Sequence, residues 1–158
     1  MAEYETNTVT RIETNLDDVS PQVLGAVMQK LLGAGALDVW FTPIQMKKSR
    51  PGVMLSALCE EAAVSALSDL IFTETTAFGL RVENVRRLKL ARRFETVQTR
   101  YGAISVKIGM KGTRVMQIAP EYESCLAAAE LAGVPLREVH AAALETARST
   151  IGNGSPAD

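Results

Sequence analysis

The chain has 158 residues, 47% of them hydrophobic and 22% charged, with 17 Lys+Arg against 18 Asp+Glu for a net charge of −1. That length points to one globular domain, and the neutral balance excludes a uniformly basic nucleic-acid binder. Two cysteines outside any C-x-x-C pair and a single histidine exclude a disulfide framework and a self-contained His-rich transition-metal site. No apolar run approaches the roughly 18 residues of a membrane span and the first residues carry no signal-peptide core, so the expected setting is the cytoplasm, away from membranes.

Residues 8–15 (TVTRIETN) are rich in β-branched side chains and predict a strand. Ser20-Pro21 supplies a cap and a proline for the first helical position. Val23, Leu24, Val27, Met28, Leu31 and Leu32 then recur at helical spacing until Gly33 and Gly35. A second strand is expected over 38–46, with Pro43 marking an edge or a bulge. The polar connection KKSRPG (47–52) leads to a third strand over 53–59 and a helix over about 60–72, and a further strand begins near Leu80. This β-α-β-β-α-β order predicts an α+β fold, a ferredoxin-like unit with an antiparallel sheet and helices on one face. The stretch 80–99 reads as one long strand or as two. Beyond it, Ile104, Val106, Ile108 and Met110 alternate with less apolar residues, and Lys111-Gly112 turns into a strand over 113–119. Pro120 is expected to open a helix, Gly133-Val134-Pro135 to break it, and a last helix to end near Ser149. The ferredoxin-like unit is thus extended by a β-hairpin and two C-terminal helices, with disordered ends at 1–7 and 150–158 and a single domain over 8–149.

Charge is unevenly placed. Residues 39–120 hold 13 basic and 6 acidic side chains, while both flanks are acidic, a distribution that can focus a field on a small anion. Four clusters carry possible chemistry. Asn15-Leu16-Asp17-Asp18, between a strand and a helix, places two carboxylates where they suit a hard cation beside a phosphate, or where they only offset a helix N-terminus. Lys47, Lys48 and Arg50 surround a turn fit for an anion, or form an exposed basic turn. Glu74-Thr75-Thr76-Ala77-Phe78-Gly79-Leu80-Arg81 combines a carboxylate, two hydroxyls and a cation, or merely closes a helix. Arg81, Arg86, Arg87, Lys89, Arg92 and Arg93 place six cations within 13 residues, with too few interleaved aromatics for nucleic acid. His140 reads as a packed or interfacial residue, Trp40 as core, and Cys125 as unreactive for want of a basic neighbour.

The order of these segments resembles the C-terminal region of the nickel-insertion proteins of nickel-pincer cofactor synthesis, the LarC family. The matching stretches are ETNLDD (13–18), GALDVWFTPIQMKKSRPG (35–52), ETTAFGLR (74–81), TRYGAISVK (99–107) and APEYESC (119–125). Ala77-Phe78 departs from the pattern, where a third threonine and an aliphatic residue are expected. The resemblance implies a CTP-dependent cyclometallase of the lyase class. It inserts Ni²⁺ into pyridinium-3,5-bisthiocarboxylic acid mononucleotide and converts CTP to CMP and pyrophosphate with Mg²⁺ or Mn²⁺, in service of lactate racemase. It further implies that 8–149 is the nucleotide-binding and oligomer-forming part of a longer protein whose N-terminal domain lies in front. The expected roles are Asp17 and Asp18 for the divalent metal, Lys47, Lys48, Arg50 and Arg81 for phosphates, and Asn15, Thr75 and Thr76 for nucleotide binding. Glu74 and Asp18 are the catalytic candidates. Partners are then CTP, the pincer mononucleotide, the N-terminal domain and further copies of the chain. The alternatives are a ferredoxin-like small-molecule sensor and a structural oligomerisation module, both without catalysis.

Overall fold

The computed structural model describes residues 4–151. Its elements run β1 (Glu5–Leu16), α1 (Pro21–Gly33), β2 (Asp38–Met46), β3 (Arg50–Cys59), α2 (Val64–Glu74), β4 (Arg81–Lys89), β5 (Ala91–Thr99), β6 (Gly102–Lys111), β7 (Arg114–Pro120), α3 (Tyr122–Ala132) and α4 (Leu136–Ile151). The chain divides into two compact units, one over Thr6–Arg87 and the other from Leu88 onward together with the residues before Thr6.

The first unit is the expected ferredoxin-like βαββαβ. Its sheet has the order β2-β3-β1-β4, with β1 antiparallel to β3 through pairs such as Ile12↔Ala57 and Leu16↔Val53, and β2 antiparallel to β3. Alternation in β1 sends Thr10, Ile12, Thr14 and Leu16 to the buried face. There Ile12 and Leu16 pack with Leu24, Val27 and Leu31 of α1, Leu55 and Ala57 of β3, and Leu67 and Ile71 of α2. Helix α1 starts where the sequence directs it, because the Ser20 hydroxyl accepts the Val23 N–H at 3.3 Å and Pro21 stands in the first turn.

The hairpin and the two C-terminal helices form a unit with a three-stranded antiparallel sheet, β5-β6-β7. Its own core joins Val97, Ile104, Val106 and Ile108 to Cys125, Ala129, Val139, Ala143 and Ala147.

Several boundaries differ from the sequence expectation. β1 already begins at Glu5, so residues 5–7 of the segment expected to be disordered are strand. Asn7 is tied down there by Arg87 Nε, 3.2 Å from its Oδ1. Thr150 and Ile151 complete α4, with Ile151 buried in the second core. The rest of both expected tails, 1–3 and 152–158, lies outside the described residues. The stretch 80–99 is two strands, separated at Leu90. The second helix is preceded by a 3₁₀ turn at Glu61–Ala63 and runs on to Glu74. Pro120 closes β7 instead of opening α3. Among the described residues no helix is long and apolar enough to cross a membrane.

Candidate functional site

Strand β1 ends at Leu16, which throws Asp17 and Asp18 beyond the sheet and just ahead of α1. Opposite them the chain enters β3 through Arg50, Pro51 and Gly52. Gly52 is required there: a Cβ would stand 2.7 Å from the Leu16 carbonyl oxygen and 2.8 Å from Met46 Sδ. That close approach brings the basic connection against the acidic one, and Arg50 NH1 lies 3.3 Å from Asp17 Oδ2. The arginine is well exposed, so the pair contributes only about 0–1 kcal/mol. Arg50 can therefore exchange Asp17 for a stronger anion at little cost.

The residues between Met46 and Arg50 form a tight turn containing Lys47 and Lys48 that is not helical at Lys48. Lys48 (φ 59°) and Ser49 (φ 55°) both stand in the left-handed region, which non-glycine side chains adopt at a cost of about 1–2 kcal/mol each. Both lysines are exposed. Among the described residues neither has an ion-pair or hydrogen-bond partner, so two cations project beside Arg50 with their charge uncompensated.

From the other side the α2–β4 connection is stitched to the end of β1. The Thr76 hydroxyl donates to Asp18 Oδ1, Thr14 Oγ1 donates to the Gly79 carbonyl at 2.9 Å, and Arg81 NH2 donates to Asn15 Oδ1 at 2.8 Å. Arg81 Nε also lies 3.8 Å from Glu13 Oε2. The structure thus brings Asn15, Asp17, Asp18, Arg50, Thr76 and Arg81 into one connected set, with Lys47 and Lys48 on the turn before Arg50.

Glu74 and Thr75 are not part of that set. Glu74 ends α2, and its Oε1 takes Lys30 Nζ of α1 at 2.6 Å. The Thr75 hydroxyl donates to the Ile71 carbonyl at 2.7 Å and accepts the Ala77 N–H at 3.1 Å. Both of its hydrogen-bonding functions serve the end of the helix.

Glu13 escaped sequence reasoning as an individual residue. It is nearly covered, with 13% of its side chain exposed, and sits between Arg11 Nε at 3.3 Å and Arg81 Nε. Ser56, its cross-strand neighbour, donates to Glu13 Oε1 at 3.1 Å. Arg11 in turn reaches Glu83 of β4 at 2.8 Å. The signal was present in the spacing, since Arg11, Glu13 and Asn15 alternate along β1 and must share the face opposite Ile12 and Thr14. Glu13 and Asn15 together aim Arg81.

The donor set decides what metal fits. Among the described residues no group of three or more His, Cys, Asp and Glu gathers to enclose an ion. Two adjacent carboxylates suit a hard octahedral ion that draws the rest of its shell from water and phosphate oxygens, which is how Mg²⁺ is usually held. They do not suit Ni²⁺ as a resident ion, which favours imidazole or thiolate. Cys59 and Cys125 are each buried in a different core.

The chain matches the family profile described as "Nickel insertion protein" over residues 1–140. It is 47% identical over 131 residues to the pyridinium-3,5-bisthiocarboxylic acid mononucleotide nickel insertion protein of Thermotoga sp. (strain RQ2), covering 83% of this chain and 33% of that protein. A protein of the same name from Thermotoga petrophila is 40% identical over 142 residues, 90% of this chain and 36% of its own length. The chain therefore spans about a third of these curated relatives. Among solved structures, it resembles LarC2, the C-terminal domain of a cyclometallase involved in the synthesis of the NPN cofactor of lactate racemase. The TM-score is 0.84 at 42% identity, over 90% of this chain and 98% of that one. Sequence profile, relatives and fold agree, and the chain belongs to the nickel insertion protein family.

Proposed function

We propose that this chain is the nucleotide-handling part of a CTP-dependent cyclometallase that inserts Ni²⁺ into pyridinium-3,5-bisthiocarboxylic acid mononucleotide. The observation that carries the reading is the pairing of Asp17 and Asp18 with a cationic turn that has charge to spare. Lys47 and Lys48 are unpaired among the described residues, and Arg50 is only loosely engaged. A metal–triphosphate complex needs that combination, carboxylates for the ion and several cations for the phosphate oxygens.

In this reading Asp17 and Asp18 hold Mg²⁺ or Mn²⁺, directly or through its waters. When bound, the ion neutralises phosphate oxygens and favours departure of pyrophosphate. Lys47, Lys48 and Arg50 grip the β- and γ-phosphates, Arg50 leaving Asp17 as it does so. Arg81, aimed by Glu13 and Asn15, contacts a further phosphate oxygen with its planar fork. Thr76 fixes the Asp18 carboxylate, so one oxygen is committed to the hydroxyl and the other faces the ligand. Conversion of CTP and water to CMP and pyrophosphate, the water oxygen bonding the α-phosphorus as the pyrophosphate departs, is then mainly positioning and charge neutralisation. Glu74 and Thr75 serve by holding the α2 end against α1 and thereby setting Thr76 and Arg81. Nickel enters as substrate, delivered with the N-terminal domain that the family resemblance implies. Strands β2 and β4 end the four-stranded sheet, and sheet edges lend themselves to self-association into a homo-oligomer.

Calorimetric titration of the chain with CTP, ATP, GTP and UTP, each with Mn²⁺, tests the binding step, and a CMP and pyrophosphate assay tests turnover. Selective CTP binding is expected. Binding without turnover in the full-length protein points to a sensor module, and no nucleotide binding at all to a structural one.

A further inference from the structure

Phe78 stands fully open to solvent, 103% exposed, in the middle of the α2–β4 connection. Its exposure is not that of a loose loop. Two residues before it, Thr76 is bonded to Asp18. The next residue, Gly79, accepts from Thr14 at 2.9 Å, and three residues on Arg81 is bonded to Asn15 at 2.8 Å. Ala77 and Leu80 on either side pack against the core of the first unit. Three hydrogen bonds to the segment 14–18 and two apolar anchors thus hold the backbone, while the aromatic ring projects from the same connection that supplies Thr76 and Arg81. A rigidly presented aromatic on the connection that carries Arg81 and reaches Asp18 is suited to grip a single nucleotide, the ring stacking on the heterocycle while cations take the phosphates.

We infer that Phe78 is a stacking platform for the planar heteroaromatic ring of a nucleotide bound at this site. The inference rests on the nucleotide-site reading above and adds the residue that recognises the ring. Two rings share the required chemistry, the base of CTP and the pyridinium of the mononucleotide substrate. A cationic pyridinium gains an additional attraction to the π face. Phe78 makes no polar contact, so it discriminates planar aromatic ligands from phosphate alone.

The test is a set of titrations of wild type, Phe78→Ala and Phe78→Trp with three probes, each with Mn²⁺: CTP, nicotinic acid mononucleotide and inorganic tripolyphosphate. Phe78→Ala should weaken one of the two ring-bearing probes about tenfold, leave tripolyphosphate unchanged and be restored by Phe78→Trp. Loss with CTP assigns the base to Phe78, and loss with nicotinic acid mononucleotide assigns the pyridinium. Unchanged affinity for both, with wild type binding, overturns the stacking role and leaves the site reading standing. Equal losses for tripolyphosphate and CTP also overturn it, because the loop itself has then been disturbed. Wild type that binds none of the three overturns the site reading and this inference together. A shift in oligomeric mass on Phe78→Ala assigns the ring to contact between copies and overturns the inference as well.

Discussion

Lys48 combines a charge that nothing in the described structure neutralises with a backbone conformation that a lysine adopts at a cost. Removing the side chain breaks no contact that supports the fold, so any effect must appear in binding. Lys48→Ala should leave the melting temperature unchanged and weaken CTP·Mn²⁺ binding about tenfold or more, as expected for losing a charge-assisted phosphate contact. Unchanged affinity in the same titration would remove Lys48 from the site. Gly52 makes the opposite prediction. A Cβ there meets the Leu16 carbonyl, a backbone atom that cannot swing aside, and Met46 Sδ, which partly can. Gly52→Ala should therefore cost about 1–3 kcal/mol of stability, the range for overpacking, and weaken nucleotide binding by pushing the turn away from Asp17. Denaturant titration and calorimetry on one preparation check both halves. A variant as stable as wild type would show that the approach of the two connections is not needed.

At the scale of elements, the cap of α1 is the local device that fixes where the acidic segment ends. Ser20→Ala deletes the acceptor of the Val23 N–H and should destabilise the protein by about 1 kcal/mol, seen as a lower denaturant midpoint at unchanged slope. No change in midpoint would mean that water replaces the hydroxyl at no cost. This cap, the alternation of β1 and the apolar stripe of α1 were legible because each is written within a few consecutive residues. The position of the break between β4 and β5 was not. Leu90 leaves the strand pattern to cover Gly109 of β6, where a Cβ would come within 2.9 Å of Leu90 Cδ1, and nothing local announces a partner 19 residues away. The same limit applies to the site. The acidic pair, the basic turn and Arg81 could be read as clusters, and the three-dimensional contacts join them. Which of Thr75 and Thr76 faces the acids depends on the residue at which α2 ends. The 3₁₀ turn at Glu61–Ala63 and the extension of α2 to Glu74 shift that end beyond the expected Phe72. The shift commits Thr75 to the helix cap and Glu74 to Lys30.

The molecule as a whole carries one cysteine in each of its two cores, and both thiols are removed from water. Burial pushes the Cys59 thiol above the ordinary value of 9.0, with Glu61 and then Glu60 adding to the shift, and burial alone does the same for Cys125. Two consequences can be measured. Each thiol reacts only when its own unit opens, so alkylation in increasing urea reports the two cores separately. Because each unit has a complete core and sheet, the two cysteines should become reactive at different urea concentrations. Identical labelling profiles would show that the units open as one. The second consequence concerns pH. Each folded thiol holds its proton above the value at which the unfolded thiol releases it, so the unfolded chain binds fewer protons once the pH exceeds about 9.0. The contribution of the two thiols is fully present below that value and is lost as pH rises toward their folded values. The urea midpoint should fall between pH 8 and pH 10 more steeply for wild type than for a Cys59→Ala, Cys125→Ala double variant, whatever that variant's absolute stability. Equal slopes would mean that the thiols titrate alike folded and unfolded, and that these cores admit water around them.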